Sequence, residues 1–413
     1  MIRTLLAKFR GNGFFANAFY LMVSTVVLAA FGFVFWVIVT KNYDPAAVGI
    51  ATTLLSLSGL LAQLGLAGFD AALVRFLPSA TDKNTYISSA FIIVAGISTV
   101  VSGLVCLTLP LLSPSLNEVA NPLAWLAFVG FTAITSLNAV INAVFLAHKR
   151  ARYILALNAA LSVSKVALPF AITHSSAVTI FVLAGLAQLI AFIWGMWWLH
   201  RAHNYRFVPR IDMSMVRAVR KFSLTMYSAS ILNLLPPTIL PLIIVAQIGP
   251  AQAAFYYMAF TIATVLYTIA YASMQSVFAE GSHNQAALRG FVVKAGALIC
   301  ALLVPAVIIT IFGSNILLGV FGPAYVAQSS SLLQLFALAA LPVASYSALG
   351  AIFKVTKNLG GMLTMNVVYA ASIIGACAWY LPQFGLTAIG WAWLGGNALA
   401  TATGLFFALR RRA

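Results

Sequence analysis

Charged residues are scarce in this sequence, and acidic residues are almost absent. Of 413 residues, 7% are Asp, Glu, Lys or Arg, and only 6 are Asp or Glu. A soluble domain carries about 25% charged residues, so the composition excludes a large water-facing domain. Three long stretches contain no charged residue at all: 222–279, 295–353 and 359–409. Each is long enough for two membrane-spanning helices of about 20 residues, so the sequence predicts a polytopic membrane protein.

Groups that carry catalysis or bind metals are also few. The 3 cysteines are scattered through apolar runs, and the 5 histidines fall in predicted connections between spans. This spacing gives no disulfide or metal framework. The sequence contains no metal-ligand cluster, phosphate-binding glycine loop or nucleophile triad. We therefore expect neither a metal nor a cofactor, and we do not expect an enzyme.

The basic residues are spread over short connections rather than gathered on one face. Of 23 Lys and Arg residues, only Lys41 falls on the opposite side from the other connections, and only Lys165 lies deep within a predicted span. Lys and Arg accumulate on the cytoplasmic side of membrane proteins, so both termini are predicted to be cytoplasmic. The basic residues behind the net charge of +17 are therefore expected to orient the chain in the membrane and to contact anionic lipid headgroups, not to bind nucleic acid. We expect membrane lipids as partners and no nucleic acid.

Hydropathy and turn residues together predict twelve helices. Their expected bounds are 14–38, 46–69, 86–110, 122–147, 153–173, 178–199, 223–246, 250–279, 291–312, 326–352, 359–381 and 385–408. The one long connection, 200–221, is basic and lies at the midpoint of the chain. It separates two predicted lobes, 1–199 and 222–413, with six helices each. Such lobes are common in transporters, so the expected fold is all-α, with the two lobes around a central cavity.

Lys165 is the strongest single candidate for substrate binding. It falls about twelve residues, or ~18 Å, into the fifth predicted span. A charge at that depth costs at least about 2.5–3.5 kcal/mol, so the side chain should face the bundle interior or a watery cavity. Asn158 and Ser162 precede it at spacings that place all three on one helix face. A lysine on such a stripe suits a phosphate or pyrophosphate group. The alternative is a lysine satisfied by carbonyls or water, without a ligand.

Asp70 and Arg75 form a second candidate pair. They fall near the cytoplasmic end of the second predicted span, which is expected to continue to Pro78. Five residues apart, they do not stack on a straight helix. They either line the inner mouth of a cavity or lie in the headgroup zone.

Uncharged polar residues at helical spacing could line an aqueous path. Those in the fourth and eighth predicted spans are Asn138, Asn142, Thr264, Thr268 and Gln275. The alternative is that they form hydrogen bonds between helices, which are common in membrane bundles. Pro236 and Pro237 interrupt the seventh span, and broken helices often border a cavity or a moving gate. These prolines are therefore gating candidates, although such residues are also simply tolerated.

Two stretches carry distinctive motifs. The first contains the turn Asp44-Pro45-Ala46-Ala47-Val48-Gly49 and the helix end Arg75-Phe76-Leu77-Pro78. The second runs from Phe255-Tyr256-Tyr257 to Phe278-Ala279-Glu280-Gly281. Both are similar to the corresponding stretches of polysaccharide-biosynthesis flippases. Those proteins belong to the multidrug/oligosaccharidyl-lipid/polysaccharide (MOP) exporter superfamily.

The resemblance implies twelve helices in two lobes and transport by alternating access. The implied cargo is a polyprenyl-pyrophosphate-linked oligosaccharide, moved from the cytoplasmic to the outer leaflet of a bacterial plasma membrane. Other polysaccharide-assembly proteins are implied as further partners. The resemblance also implies basic cavity residues that engage pyrophosphate or acidic sugars, and Lys165 and then Arg75 are the matching candidates here.

Two other functions stay open. An exporter of small cationic drugs needs an acidic cavity residue, for which Asp70 is the candidate; the first span lacks the aspartate that is usual in the drug-exporting branch. A glycan polymerase or ligase would be expected to have a large outer loop, whereas the predicted outer loops are short and nearly uncharged.

Overall fold

The computed structural model describes residues 13–112, 116, 121–170 and 176–410. Within these ranges the chain is helical and contains no β-strand. The helices are α1 (Gly13–Asn42), α2 (Pro45–Leu66), α3 (Phe69–Phe76), α4 (Lys83–Leu112), α5 (Pro122–Ala147), α6 (Ala151–Ala167), α7 (Ala177–His203), α8 (Met213–Ile248), α9 (Pro250–His283), α10 (Leu288–Phe312), α11 (Ser314–Gly319), α12 (Pro323–Val355), α13 (Leu359–Phe384) and α14 (Leu386–Arg410).

Twelve helices of the described chain are long and apolar enough to cross a bilayer, all except α3 and α11. The predicted all-α class and the number of spans are confirmed, and the chain is a multi-pass membrane protein. Several helices begin with proline at their first position, where the missing N–H removes no hydrogen bond. Gly249 and Gly322 precede two of them with φ of 98° and 131°, a backbone region that favours glycine.

The second span ends earlier than the sequence analysis predicted. α2 stops at Leu66, and the next two residues, Ala67 and Gly68, have φ of 45° and 84°. Glycine in the left-handed region is a common way to end a helix. Asp70 and Arg75 therefore lie on the separate short helix α3, and the prediction of one span continuing to Pro78 is wrong.

The fifth span is also shorter than predicted. α6 ends at Ala167 and passes into a 3₁₀ turn, Leu168–Phe170, although the helix was expected to reach residue 173. Pro169 explains the end, because proline has no N–H and disfavours the α conformation of the preceding residue. Lys165 therefore lies in the last helical turn, ~21 Å from Ala151. The predicted extension over 171–173 and the predicted positions of both termini lie outside the described residues.

The basic connection after α7 is short and is bound to α4. The non-helical part covers 204–212, because α7 continues to His203 and α8 begins at Met213. The hydroxyl of Tyr205 lies 2.8 Å from Ser88 Oγ. The same oxygen accepts from the backbone N–H of Val208 at 2.9 Å, and Ser89 Oγ accepts from that of Asp212 at 2.7 Å. These bonds hold the connection against the start of α4.

The chain divides into two compact units. The first contains the described residues of Met1–Tyr43 and Leu57–Tyr227, and the second contains those of Asp44–Ser56 and Ser228–Ala413. The division runs within α2 and α8. The expected lobe boundary at 200–221 stays a prediction.

Each unit has its own core. Phe91, Phe145, Tyr153 and Tyr205 belong to the buried cluster of the first unit, which α3 to α7 supply together with the connection after α7. In the second unit, rings from α9, α12 and α14 pack edge to face around Phe260, with centroids 5.0 Å from Trp393 and 5.6 Å from Phe336. Such pairs add about 0.5–1.5 kcal/mol each beyond the area they bury. They fix the position of α9, which carries several candidate residues.

Candidate functional site

Lys165 of α6 lies against α1. Its Nζ is 4.6 Å from the centre of the Phe35 ring and 5.9 Å from that of Trp36. Both rings are almost completely buried, at 0% and 3% exposure. No carboxylate or hydrogen-bond acceptor among the described residues contacts the ammonium group. Cation–π attraction is therefore its main stabilising contact within the first unit.

The contacts of Lys165 stabilise its charge but leave its hydrogen-bonding capacity unused. A charge at the centre of a span costs about 2.5–3.5 kcal/mol on the mildest scale, which is an upper limit for Lys165 in the last turn of α6. Cation–π contacts return about 0.5–2 kcal/mol. A cation in the last turn of a helix gains about 0.3–1 kcal/mol from the helix dipole. The three N–H donors of the ammonium group still lack acceptors among the described residues. A ligand with anionic oxygens would supply both these acceptors and a negative charge.

Asn158 and Ser162 lie in the interior of the first unit. The side-chain amide of Asn158 donates to Ser24 Oγ of α1 at 2.8 Å. Both candidates are buried, at 8% and 3% exposure. Asn158 therefore ties α6 to α1. A substrate contact by either residue stays a prediction.

Contacts between α1 and α6 advance in the same direction along both helices. Ala151 donates its backbone N–H to Asn17 Oδ1 at 3.0 Å, Asn158 reaches Ser24, and Lys165 reaches Phe35. The two helices are therefore parallel, as alternate crossings require for the first and fifth spans of a membrane chain.

The structure places Asp70 and Arg75 on α3, away from the helix that carries Lys165. Asp70 is half-buried in the first turn of α3, where an acid interacts favourably with the helix dipole. It lies within electrostatic range of the Tyr227 hydroxyl. Arg75 is exposed, and its guanidinium carbon lies 5.4 Å from the centre of the Phe76 ring. Substrate binding by this pair stays a prediction.

Asn138 and Asn142 of α5 face other helices of the first unit. Asn138 is 5% exposed, and its amide nitrogen donates to the backbone and side-chain oxygens of Gln188 on α7, at 2.9 and 2.8 Å. The side-chain oxygens of both asparagines are buried without a hydrogen-bond partner in the described structure. The bond to Gln188 favours a role in helix packing for Asn138. The side-chain oxygens of Asn138 and Asn142 can each still accept a hydrogen bond.

The candidates on α9 line an exposed face of the second unit that carries several polar side chains beside the 64% exposed Val265. Thr268 and Gln275 are exposed, Thr264 is half-buried, and Tyr271 between them is 43% exposed. α10 instead exposes many large apolar side chains, of which Val293, Ile309 and Phe312 are above 60%; its exposed charges, Arg289 and Lys294, lie in its first two turns. A polar face within a span is poorly suited to lipid, because hydrocarbon cannot satisfy its hydrogen-bonding groups.

Hydrogen bonds on α9 leave mainly acceptors at this surface. The hydroxyls of Thr264 and Thr268 donate to the carbonyls of Thr261 and Thr264, at 2.7 and 2.8 Å. Their protons are used within the helix, while oxygen lone pairs stay available. Gln275 has no hydrogen bond with any described residue. The face can therefore accept hydrogen bonds from a hydroxyl-rich molecule, although a binding role stays a prediction.

Pro236 and Pro237 lie inside α8, where each removes one backbone donor. The carbonyls of Leu232 and Asn233 consequently cannot receive the usual bond from the residue four positions later. Asn233 itself is exposed. Gating by the two prolines is not tested by this geometry and stays a prediction.

Sequence reasoning missed the aromatic pair beside Lys165 and two buried polar residues of the second unit. Phe35 and Trp36 look in the sequence like any apolar residues of a span. Tyr346 and Asn366 make hydrogen bonds between helices. A lone amide in an apolar stretch was the available signal for Asn366, because an unpaired amide in hydrocarbon is costly.

Comparison with protein families decides the relationship that the motifs indicated. The family described as polysaccharide biosynthesis protein matches residues 14–278. This chain belongs to the polysaccharide biosynthesis protein family. The match covers the first stretch that carried the resemblance and the second as far as Phe278, and it confirms that expectation. No curated protein matches the chain in sequence.

Solved structures similar to this family member are transporters of the MOP superfamily. An inward-facing multidrug resistance MATE family transporter is 13% identical, with a TM-score of 0.70, over 96% of this chain and 98% of that one. The lipid II flippase MurJ, in an inward closed conformation, is 13% identical, with a TM-score of 0.73, over 94% of this chain and 87% of that one.

A third similar structure is a MOP superfamily transporter from Pyrococcus furiosus whose binding pocket is described as having reversed polarity. It is 15% identical, with a TM-score of 0.60, over 97% of this chain and 96% of that one. At these identities the likeness shows the fold alone. The chain thus has the fold of MOP superfamily transporters.

Proposed function

We propose that this protein is a flippase that moves polyprenyl-pyrophosphate-linked oligosaccharide from the cytoplasmic to the outer leaflet of a bacterial plasma membrane. The observation that carries the proposal is the ammonium group of Lys165. It lies within a membrane span, over aromatic rings, with no anionic partner in the described part of the chain. The family match to polysaccharide biosynthesis supports a glycan-related cargo. Both termini are proposed to be cytoplasmic.

A pyrophosphate headgroup fits the needs of Lys165. Phosphate oxygens supply both the negative charge and the acceptors that the ammonium group lacks. The Phe35 and Trp36 rings restrict the side chain without competing for the anion. Arg75 is proposed as a second contact nearer the cytoplasmic side, where the headgroup would enter.

A transporter is needed because a glycan headgroup cannot cross hydrocarbon unaided. Each hydroxyl left without a partner there costs several kcal/mol, about 4–8 on a water-to-cyclohexane scale. The polar face of α9 supports a path in which Thr264, Thr268 and Gln275 replace water for the sugar hydroxyls. Alternating access would expose such a path to each side in turn, while the polyprenyl tail stays in lipid.

Deleting the gene in its host and restoring it with variants tests this function. Deletion should remove a surface glycan and cause its lipid-linked precursor to accumulate in the inner leaflet. Lys165→Met removes the charge and keeps the side-chain length, so it should fail to restore export while reaching the membrane at normal levels. Lys165→Arg should restore part of the export, because it keeps the charge.

Lys294→Met is the matched control, because Lys294 is an exposed lysine near the start of α10. It should restore export fully. Normal surface glycan with Lys165→Met would remove Lys165 from the mechanism. A deletion strain whose surface glycans are unchanged would contradict the flippase itself.

Export of small cationic compounds is the second candidate, supported by the half-buried position of Asp70 on α3. A carboxylate can neutralise a cationic cargo, which Lys165 would repel. This function predicts that overproduction raises resistance to cationic drugs, that Asp70→Asn abolishes the resistance, and that deletion leaves surface glycans intact. A membrane polymerase or ligase would instead extend glycan chains when the purified protein is placed in liposomes with the precursor.

A further inference from the structure

A second polar cluster lies in the second unit, beside the two prolines of α8. The hydroxyl of Tyr346 on α12 is 2.7 Å from Asn233 Oδ1 on α8 and 2.6 Å from Asn366 Oδ1 on α13. The amide nitrogens of both asparagines donate to the carbonyl of Ala229, at 2.9 and 3.1 Å. Asn233, Tyr346 and Asn366 are called the amide–tyrosine cluster below.

Only one member of the amide–tyrosine cluster is open to a ligand. Tyr346 and Asn366 are 5% and 2% exposed, whereas Asn233 is exposed. Tyr346 and the carbonyl of Ala229 hold the Asn233 amide in one orientation, because Tyr346 donates to its oxygen and Ala229 accepts from its nitrogen. A fixed and exposed amide loses little entropy when it binds a ligand.

Acceptors outnumber donors around Asn233. The Tyr346 hydroxyl carries one proton, so it can satisfy only one of the two amide oxygens beside it. The carbonyls of Leu232 and Asn233 also lack their usual donors, because Pro236 and Pro237 have no N–H. Each of the two asparagine amides also keeps one N–H beyond its bond to Ala229, but the region still offers more acceptors than donors. Acceptors without donors cost free energy within a membrane, so this region favours a molecule that donates hydrogen bonds.

The missing donor is better supplied by hydroxyl groups than by a cation. The stretches 222–279, 295–353 and 359–409 contribute α8, α9, α12 and α13 to this region and contain no Asp or Glu. A bound cation would therefore lack a compensating carboxylate on these segments. Neutral hydroxyls donate to amide and carbonyl oxygens without that cost.

Aromatic surface lies next to these acceptors. Tyr271 of α9 is 43% exposed and lies within electrostatic range of the hydroxyls of Tyr346 and Tyr369. The Tyr346 and Tyr369 rings are stacked, with centroids 5.0 Å apart, which fixes this side of the cluster. A tyrosine ring can pack against the C–H face of a sugar while the tyrosine hydroxyl forms a hydrogen bond with one of the sugar hydroxyls.

We infer that the side chains of Asn233 and Tyr271 and the backbone carbonyls of Leu232 and Asn233 form a binding site for the sugar hydroxyls of the transported glycan. This site rests on the proposed flippase function and deepens it, because it assigns a part of the second unit to the carbohydrate. Its chemistry differs from that of Lys165, which is suited to pyrophosphate.

Two lipid probes separate the roles of the two sites. One is the lipid-linked oligosaccharide that accumulates when the gene is deleted, and the other is bare polyprenyl pyrophosphate. Purified full-length protein in nanodiscs is titrated with each lipid, and bound lipid is counted by native mass spectrometry. Asn233→Leu should weaken binding of the glycan-bearing lipid about five- to tenfold, the equivalent of one or two hydrogen bonds. Binding of the bare lipid should stay within about twofold of the wild type.

Matched variants complete the test. Asn42→Leu changes an exposed asparagine on α1 whose amide makes the same kind of bond, to Ile38 O at 2.8 Å, and should bind both lipids normally. Tyr271→Leu provides a second probe of the site if Asn233→Leu folds poorly, and it should show the same selective loss. Lys165→Met should weaken binding of both lipids, because both carry pyrophosphate.

The outcomes distinguish the sugar site from the flippase proposal. If wild-type protein binds both lipids and the Asn233 and Tyr271 variants lose neither, or lose both equally, the sugar site is wrong and the flippase stands. If deletion causes no lipid-linked glycan to accumulate and the wild type does not bind polyprenyl pyrophosphate, the flippase proposal is wrong. The sugar site, which rests on it, is then wrong as well.

Discussion

The ammonium group of Lys165 lies 4.6 Å from the centre of the Phe35 ring, and the two residues are carried by parallel helices. Phe35 is fully buried, so the charge rests on a ring that cannot turn away into lipid. The contact explains how the first unit tolerates a lysine within a span, and it leaves the three N–H donors of the lysine unpaired. The cation–π contact with Phe35 therefore serves stability, while the unpaired N–H donors are the part of Lys165 that can bind a substrate.

A double-mutant cycle measures this contact. Phe35→Leu, Lys165→Met and the double variant are unfolded in detergent, and their free energies of unfolding are compared. The two substitutions should be coupled by about 0.5–2 kcal/mol, the range for a cation–π pair. Phe35→Leu alone should also destabilise the protein, because it removes a buried ring.

Phe128→Leu supplies the control for that cycle. Phe128 is 1% exposed and stacks on Phe181, away from Lys165. Its effect should add to that of Lys165→Met within about 0.5 kcal/mol. Equal coupling for both phenylalanines would mean that the cycle reports general loosening of the first unit and not a contact with the lysine.

Gly49 of α2 packs directly against the start of α9 within the second unit. A Cβ at this position would overlap the carbonyl oxygen of Pro250, whereas a Cβ at Gly59 of the same helix would meet open space. Gly49→Ala should therefore destabilise the protein by about 1–3 kcal/mol. Gly59→Ala should be neutral or slightly stabilising, because alanine favours a helix.

Thermal stability of the two glycine variants in detergent checks this prediction. Size-exclusion profiles of both variants after mild heating should show aggregation of Gly49→Ala at a temperature that Gly59→Ala still withstands. Equal melting temperatures would show that α9 can shift to accept a Cβ at position 49 without loss of stability. Close packing against α9 would then not explain Gly49.

Ser88 holds the basic connection after α7 through two bonds, one to Tyr205 and one to the Val208 backbone. Ser88→Ala removes both and Tyr205→Phe removes one, each worth about 1 kcal/mol. Trypsin should consequently cleave after the exposed Arg206 and Arg210 several-fold faster in Ser88→Ala, with a smaller increase in Tyr205→Phe. Burial raises the pKa of the Tyr205 hydroxyl, so the difference should not change between pH 6 and pH 9.

Ser79→Ala is the control for this digestion, since Ser79 is an exposed serine that bonds only to the carbonyl of Phe76. Its cleavage pattern should match that of the wild type. If Ser88→Ala is digested no faster than Ser79→Ala, the connection is held by packing of the Tyr205 ring and not by these hydrogen bonds.

The sequence was sufficient to predict the number of spans and the helical spacing of Thr264, Thr268 and Gln275 on α9, because both depend on the order of residues along one helix. The role of these three residues stays a prediction. The break at Gly68 and the end of α6 before Pro169 were missed for a different reason. Hydropathy averaged over a window stays high across a short turn, so it predicts one continuous span. Glycine and proline nevertheless end the helix there. The prediction of Lys165 as an interior residue depended on the cost of a charge, which needs no structure to estimate.

Relations between helices could not be predicted in the same way. Whether Phe35 faces lipid or a lysine depends on the rotation of α1 about its axis, and an apolar span encodes that rotation weakly. Asn233, Tyr346 and Asn366 come from three helices, so no spacing along the chain relates them. The same limit applies to Asn138, whose partner Gln188 lies fifty positions later on α7.

α8 is continuous through its paired prolines, and replacing them tests whether the two missing backbone hydrogen bonds are used in transport. Pro236→Ala together with Pro237→Ala returns N–H donors to the carbonyls of Leu232 and Asn233. The helix should gain about 1–3 kcal/mol of intrinsic stability, because proline is unfavourable in a helix interior. The melting temperature should therefore rise in detergent.

Export should nevertheless fall in the doubly substituted protein, because the carbonyls that serve the proposed sugar site become occupied. Pro305→Ala is the control, since Pro305 lies inside α10, which carries none of the residues of the proposed sugar site, and it should stabilise the protein without loss of export. A double variant that is more stable and exports glycan normally would show that the prolines are merely tolerated. A loss of both stability and export would instead show that the prolines are needed for packing of the second unit.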